Sequence, residues 1–343
     1  MPEAAATIGV DRTALRAGVG VTTVRCLAAV LCLLAWASAA SAQPALGDQR
    51  LELAGGAVPV FATAEWNGGT VRRAVVVVHG HGRNAAGYFA ALQRARTAAG
   101  VAALLIAPHF LAVSDPGGDD LLRWGSGSWM GGEPARSPSP VSAFDVLDAL
   151  LARLSDRTRF PDLTDIVLVG HSAGAQLVQR YAAVGHGADT HLHVRYVVAN
   201  PSSYLWFGPD RPDADGLPAP FAGTAACPDF NRWKYGLAGG LPPYVTDDPA
   251  TLEARYVSRD VVYLLGAKDT DPNQRDLDRS CAGMAEGPYR LARGHAFLAM
   301  LRARHGELPT QVAHEVPGVA HQGARMLNSA CGLAALFDTP GCD

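Results

Sequence analysis

The sequence predicts an α/β architecture, a mostly parallel central sheet with helices on both faces and a cap-like insertion. Continuous apolar and β-branched runs recur at 74–78, 102–106, 166–169, 194–198 and 261–265, the pattern of strands buried on both faces. Segments with helical spacing alternate with them at 85–99, 142–154, 173–183 and 290–304, as a parallel sheet covered on both sides requires. The chain of 343 residues, 48% apolar and 18% charged, is long and apolar enough to bury one large core.

The first segment is set apart from the fold. Arg12, Arg16 and Arg25 precede or border an apolar run from Cys26 to Ala37, followed by Ala40-Ser41-Ala42 and then Gln43. That order is the order of an export signal, with cleavage expected after Ala42 and a mature protein in the periplasm or outside the cell. The run is shorter than the roughly 20 residues a spanning helix needs, so no stable membrane insertion is expected after cleavage. An uncleaved amphipathic anchor is the competing reading, and the absence of polar residues on any face of the run speaks against it. Removing residues 1–42 takes away three arginines and two acids, leaving the chain slightly more acidic than its formal charge of −3. Such a balance offers no electrostatic case for nucleic acid.

Residues 43–343 then read as one domain. Leu51 to Leu53 and Val58 to Phe61 are expected as short antiparallel strands joined at Gly55-Gly56. Two stretches break the alternation, 114–140, rich in Gly, Ser, Pro and Trp, and 201–249, rich in Pro, Gly and aromatics. Long connections of this kind inside a compact domain are usually functional loops or lids. Four cysteines remain after residue 42, Cys227, Cys281, Cys331 and Cys342, with no Cys-x-x-Cys pair. In an exported chain that count favours disulfides over metal ligation. Cys331 with Cys342 across a short loop, and Cys227 with Cys281, are the expected pairs, and two other pairings stay open.

The strongest chemical signal is Gly170-His171-Ser172-Ala173-Gly174, between the buried run 166–169 and the helical pattern that follows. A nucleophilic serine needs a sharp strand-to-helix turn that exposes its hydroxyl above the sheet edge, and flanking glycines tolerate the crowding there. The hydroxyl also needs a base, and the base an orienting carboxylate. Asp269 follows the run 261–265, at the strand end where catalytic groups gather in open α/β sheets. Asp271 is the fallback acid, and Asp276 reads as a solvated charge. His321 lies in a loop after an expected strand at 311–316 and before a final helix, and is the candidate base. His186, His191 and His193 read as a solvated loop, His295 and His305 as helical, and His314 as part of a strand. A metal site around His186 to His193 lacks neighbouring Cys or acid ligands at tetrahedral spacing, and no cofactor or metal is expected. For the oxyanion, the backbone N–H of Ala173 and that of His81, in the turn His79-Gly80-His81-Gly82-Arg83-Asn84, are the candidate donors.

With these residues in the order Ser, Asp, His, the chain resembles the α/β-hydrolase superfamily from about residue 50 to residue 338. Leu122-Arg123-Trp124, Gln179-Arg180-Tyr181 and Trp233-Lys234-Tyr235-Gly236 resemble a group of bacterial and fungal exported hydrolases, a likeness that names no substrate. The turn at His79 departs from the three-glycine form of hormone-sensitive-lipase-like esterases. The resemblance implies a triad of Ser172, Asp269 and His321 acting on a small-molecule or polymeric ester. The insertion 201–249 is expected over the active site, with Tyr204, Trp206, Phe207, Trp233 and Tyr235 facing Trp124 and Trp129 as substrate-binding walls. The bland alternative is that these aromatics pin long loops to the body. An amide or peptide-type hydrolase, for instance on polyaspartate-like polymers contacted by Arg83, Arg123 and Arg290, is the second reading. A non-catalytic binding module on the same fold is the third.

Overall fold

Eight strands form one sheet: β1 (Gln49–Leu53), β2 (Gly56–Ala62), β3 (Arg73–Val78), β4 (Leu104–Pro108), β5 (Asp165–His171), β6 (His193–Ala199), β7 (Asp260–Gly266) and β8 (Gln311–Val316). The computed structural model describes residues 46–187 and 191–342, so the expected signal segment 1–42 lies outside the described residues. The strand order is β1-β2-β4-β3-β5-β6-β7-β8, antiparallel across β1-β2-β4 and parallel from β4 to β8. The run expected at 102–106 is displaced by two residues, because pairing with β3 begins only at Ala74 opposite Leu104.

Alternation along each strand sends side chains into two separate cores. Val76, Val78, Leu168 and Val198 face one layer, built from α2 (Ala143–Leu154), α3 (Ala173–Val184), α4 (Pro249–Val257) and α6 (Arg290–His305). Val75, Val77, Val169 and Val197 face the other, built from α1 (Ala85–Ala99), α7 (Gly323–Leu327) and α8 (Ala330–Phe337). A short helix α5 (Cys281–Ala285) lies between β7 and α6. Local chemistry sets the helix ends. Ser142 and Asp145 form a reciprocal cap on α2, and Asp248 accepts from the N–H groups of Ala250 and Thr251 ahead of Pro249 on α4.

Helix α3 departs from the amphipathic pattern, since all twelve of its residues are buried. The long segments cover its outer face. Arg180 of α3 donates to the carbonyls of Met130 and Lys234, one from each long segment. These segments are mostly turns, with two short strand pairs, Leu111–Ala112 with Arg123–Trp124 and Asp210–Pro212 with Pro218–Pro220. Disulfides join Cys227 to Cys281 and Cys331 to Cys342, the two expected pairs. Among the described residues no helix is long and apolar enough to cross a membrane.

Candidate active site

Strand β5 ends at His171 and α3 begins at Ala173, so Ser172 occupies the junction, with φ 59° and ψ −118°. A non-glycine residue in that region is strained, and such strain concentrates at functional sites. The two motif glycines are required by close approach. A Cβ on Gly170 would lie 2.2 Å from the backbone of Gly174, and one on Gly174 would lie 2.2 Å from the Val78 carbonyl oxygen.

Three side chains from three strand ends meet there in one hydrogen-bonded row. Ser172 Oγ lies 2.9 Å from His321 Nε2, and His321 Nδ1 lies 2.7 Å from Asp269 Oδ2. A carboxylate only accepts, which puts the imidazole proton on Nδ1 and leaves Nε2 to accept from the serine hydroxyl. Asp269 is 2% exposed, whereas Asp271 is exposed and bonds the N–H of Asn273 in its own turn.

The strand ends are stitched together by Asn200, just past β6. Its side chain accepts from the N–H of Gly266 at 2.7 Å and donates to the Ala320 carbonyl at 3.3 Å, tying the acid strand to the histidine loop. Behind the acid sits Arg290, the first residue of α6. Its guanidinium is fully buried, with NH1 3.6 Å from Asp269 Oδ1 and NH2 donating to Gln274 Oε1 at 3.0 Å. The ring of His171 lies against that of His321, with centroids 4.7 Å apart, and its Nδ1 is 2.7 Å from the Tyr88 hydroxyl. Burial, with the nearby charges of His321 and Arg290, pushes His171 well below the ordinary imidazole range, so it stays neutral.

The loop after β3 is held from beneath. His79 Nε2 accepts from the N–H of Phe110 and its Nδ1 donates to the Gly80 carbonyl, the tautomer of a neutral ring. Burial and the neighbouring His109 lower its pKa to about 3. Arg83 donates to the carbonyls of Phe110, Gly125 and Ser126. Two cavities flank Ser172, one of about 360 Å³ that includes Ala173 and one of about 230 Å³ that includes His321, with His81 on both walls. The N–H of Ala173 heads α3, where the first turn has no intrahelical acceptor.

Several expected wall residues lie elsewhere. Trp124, Trp129 and Tyr204 are 0% exposed and face neither cavity. Trp129 stacks on Phe110 and packs against His79, Trp124 meets Phe110 edge-on, and Tyr204 stacks on Phe297 of α6. These rings fill the space that long loops leave above the sheet, which satisfies their apolar area before any ligand arrives. Trp206 and Phe207 are buried in the same layer. Trp233 donates its indole N–H to the Gly131 carbonyl, clamping the insertion to the earlier loop. Of the expected aromatics, Tyr235 alone lines the larger cavity. Of the three arginines, Arg83 borders the smaller cavity while its guanidinium donates to loop carbonyls, Arg123 is consumed by loop carbonyls, and Arg290 lies behind Asp269. His193 is the first residue of β6, near Asp165 and Asp260, rather than part of a free loop. Asp276 is no isolated surface charge, since it borders both cavities.

The sequence reading passed over Met130, Gln176, Ser202, Lys234 and Asp278, all on the larger cavity. Gln176 and Arg180 carried a signal. Polar groups at Ser172, Gln176 and Arg180 recur every four residues in a segment that is mostly small and apolar, Gln179 and Tyr181 apart, which places them on one helix face.

No family model matches the sequence, and no curated protein matches it. Among solved structures the chain is similar to poly(aspartic acid) hydrolase-1 from Sphingomonas sp. KT-1, with 25% identity and a TM-score of 0.59 over 83% of this chain and 96% of that one. It is similar also to a poly(3-hydroxybutyrate) depolymerase from Bordetella parapertussis, with 24% identity and a TM-score of 0.60 over 84% and 86% of the two chains. With the sheet order, the turn at Ser172 and these likenesses together, the chain is a member of the α/β-hydrolase superfamily, at the level of the serine hydrolases.

Proposed function

We propose that this protein is an exported hydrolase that cleaves carboxylic esters through Ser172, His321 and Asp269. The carrying observation is the unbroken row from Ser172 Oγ through both imidazole nitrogens to Asp269 Oδ2. In this reading the hydroxyl attacks the ester carbonyl carbon while its proton passes to His321 Nε2. The imidazolium, held by Asp269, then protonates the departing alkoxide and leaves an acyl group on Ser172. Water repeats the sequence in reverse, with His321 as base, and frees the acid. The N–H groups of Ala173 and His81 serve as oxyanion donors. The acyl part occupies the cavity beside Ala173, and the leaving group occupies the one beside His321. Two disulfides, which persist in oxidising compartments, support export.

An amide-cleaving reading on an acidic polymer draws support from the likeness to poly(aspartic acid) hydrolase-1. A panel of esters and amides of graded acyl size separates the two. Turnover of p-nitrophenyl acetate by the wild type, abolished in Ser172→Ala at an unchanged thermal midpoint, is the expected result. Retained turnover in that variant moves the nucleophile elsewhere.

A further inference from the structure

We propose that the larger cavity selects acyl groups carrying a carboxylate, with the Lys234 ammonium as the recognising cation; this rests on the ester-hydrolase reading and names its substrate class. Lys234 and Ser172 line the same cavity of about 360 Å³, room for a short dicarboxylic acyl chain. The lysine is held by its backbone, not by its charge. Its carbonyl accepts from Arg180 Nε at 3.0 Å, while its side chain keeps 25% exposure in the cavity wall.

The ammonium has three donors. It meets Asp278 Oδ2 at 3.4 Å, beyond normal hydrogen-bond length, and the Met130 sulfur at 3.9 Å. Asp278 draws on the Lys234 charge, which helps to hold it ionised, and on neutral donors besides. Its carboxylate accepts from the Tyr235 hydroxyl at 2.7 Å, the Ser280 hydroxyl at 2.7 Å and the Ser280 N–H at 3.1 Å. An incoming carboxylate therefore engages Lys234 without stranding Asp278.

The charges beneath the cavity floor favour an anion as well. Arg180, Arg211 and Arg293 are buried there, and Glu286 is the buried carboxylate among them. Arg180 donates to Gln176 and Ser203, and Arg293 donates to the carbonyls of Ser202 and Asp278. Gln176 and Ser202 are themselves on the cavity wall, so fixed positive charge lies one side chain behind it. At the rim Arg275, 91% exposed, faces Asp276 at 3.4 Å, a solvated pair whose charges offset each other. Low-dielectric walls focus the remaining positive field into the cleft.

The test compares monoethyl glutarate with ethyl valerate, an uncharged ester of the same acyl length, by ethanol release from the full protein. The wild type is expected to favour the glutarate ester by about ten-fold or more in kcat/KM, the scale of a charge-assisted hydrogen bond. Lys234→Met is expected to lower that ratio about ten-fold, and Lys234→Arg to restore part of it. A wild-type ratio near one, or a ratio unchanged by Lys234→Met, overturns the proposal. Calorimetric binding of monoethyl glutarate to Ser172→Ala, with and without Lys234→Met, reads the same site without turnover. Loss of affinity on removing Lys234 supports the proposal even where the nucleophile assignment fails, and equal affinity overturns it.

Discussion

The two flanks of Ser172 are built by opposite means. On the His321 flank, each group stands within a few residues of a parallel strand end: Ser172 after β5, Asp269 after β7, His321 after β8 and His81 after β3. On the Lys234 flank, Met130, Ser202, Lys234 and Asp278 come from irregular segments that no sheet register fixes. Buried arginines reaching for carbonyls hold that wall, along with the Cys227–Cys281 bridge. The row at Ser172 is thus placed by the sheet, and the wall with Lys234 is placed by buried charge and cross-links on its margin.

The largest expected effect falls on the first flank. His321→Ala should cut turnover by about 10⁴-fold or more, the scale of triad deletions. A loss of only a few-fold breaks the comparison by showing that another group serves as base.

On the second flank the first loss is stability. Arg180→Met strands the Lys234 and Met130 carbonyls and the Ser203 hydroxyl. Breaking such a buried charged network should cost about 3–5 kcal/mol in denaturant unfolding. A neutral outcome shows that the wall holds without its arginine. Opening the bridge on this flank, by Cys227→Ser with Cys281→Ser, should cost about 2–4 kcal/mol. Proteolytic cuts should then appear in 201–249 before any near His321, and cuts appearing first near His321 contradict the division.

Arg290→Met sharpens the comparison on the strand-end side by the smallest expected change. Removing a buried cation 3.6 Å from Asp269 takes away a contact that holds the carboxylate behind His321. Turnover should fall a few-fold with little change in KM, and an unchanged kcat means the arginine does not position the acid.

Legibility followed the same division. Valine-rich runs were readable because a strand buried on both faces has no polar positions, and once Ala74 to Val78 and Ile166 to Val169 were strands the turns after them had defined places. Ser172, Asp269 and His321 could be picked from sequence for that reason, and the structure brings them together. The aromatics could not be placed, because a tryptophan that fills a core and one that lines a cleft carry the same composition signal. Trp124 and Trp129 went against Phe110 beneath the loop after β3 and Tyr204 against α6, while Lys234, between Trp233 and Tyr235, took the cavity wall. Buried arginines were hidden for a related reason: their partners are carbonyls, which every residue supplies.

Covalent trapping tests the central claim most directly. Wild-type protein treated with a fluorophosphonate should gain one adduct by intact mass, peptide mapping should put it on Ser172, and labelling should slow sharply in His321→Ala. An adduct on a different serine, or labelling of Ser172 at an undiminished rate without His321, contradicts the account.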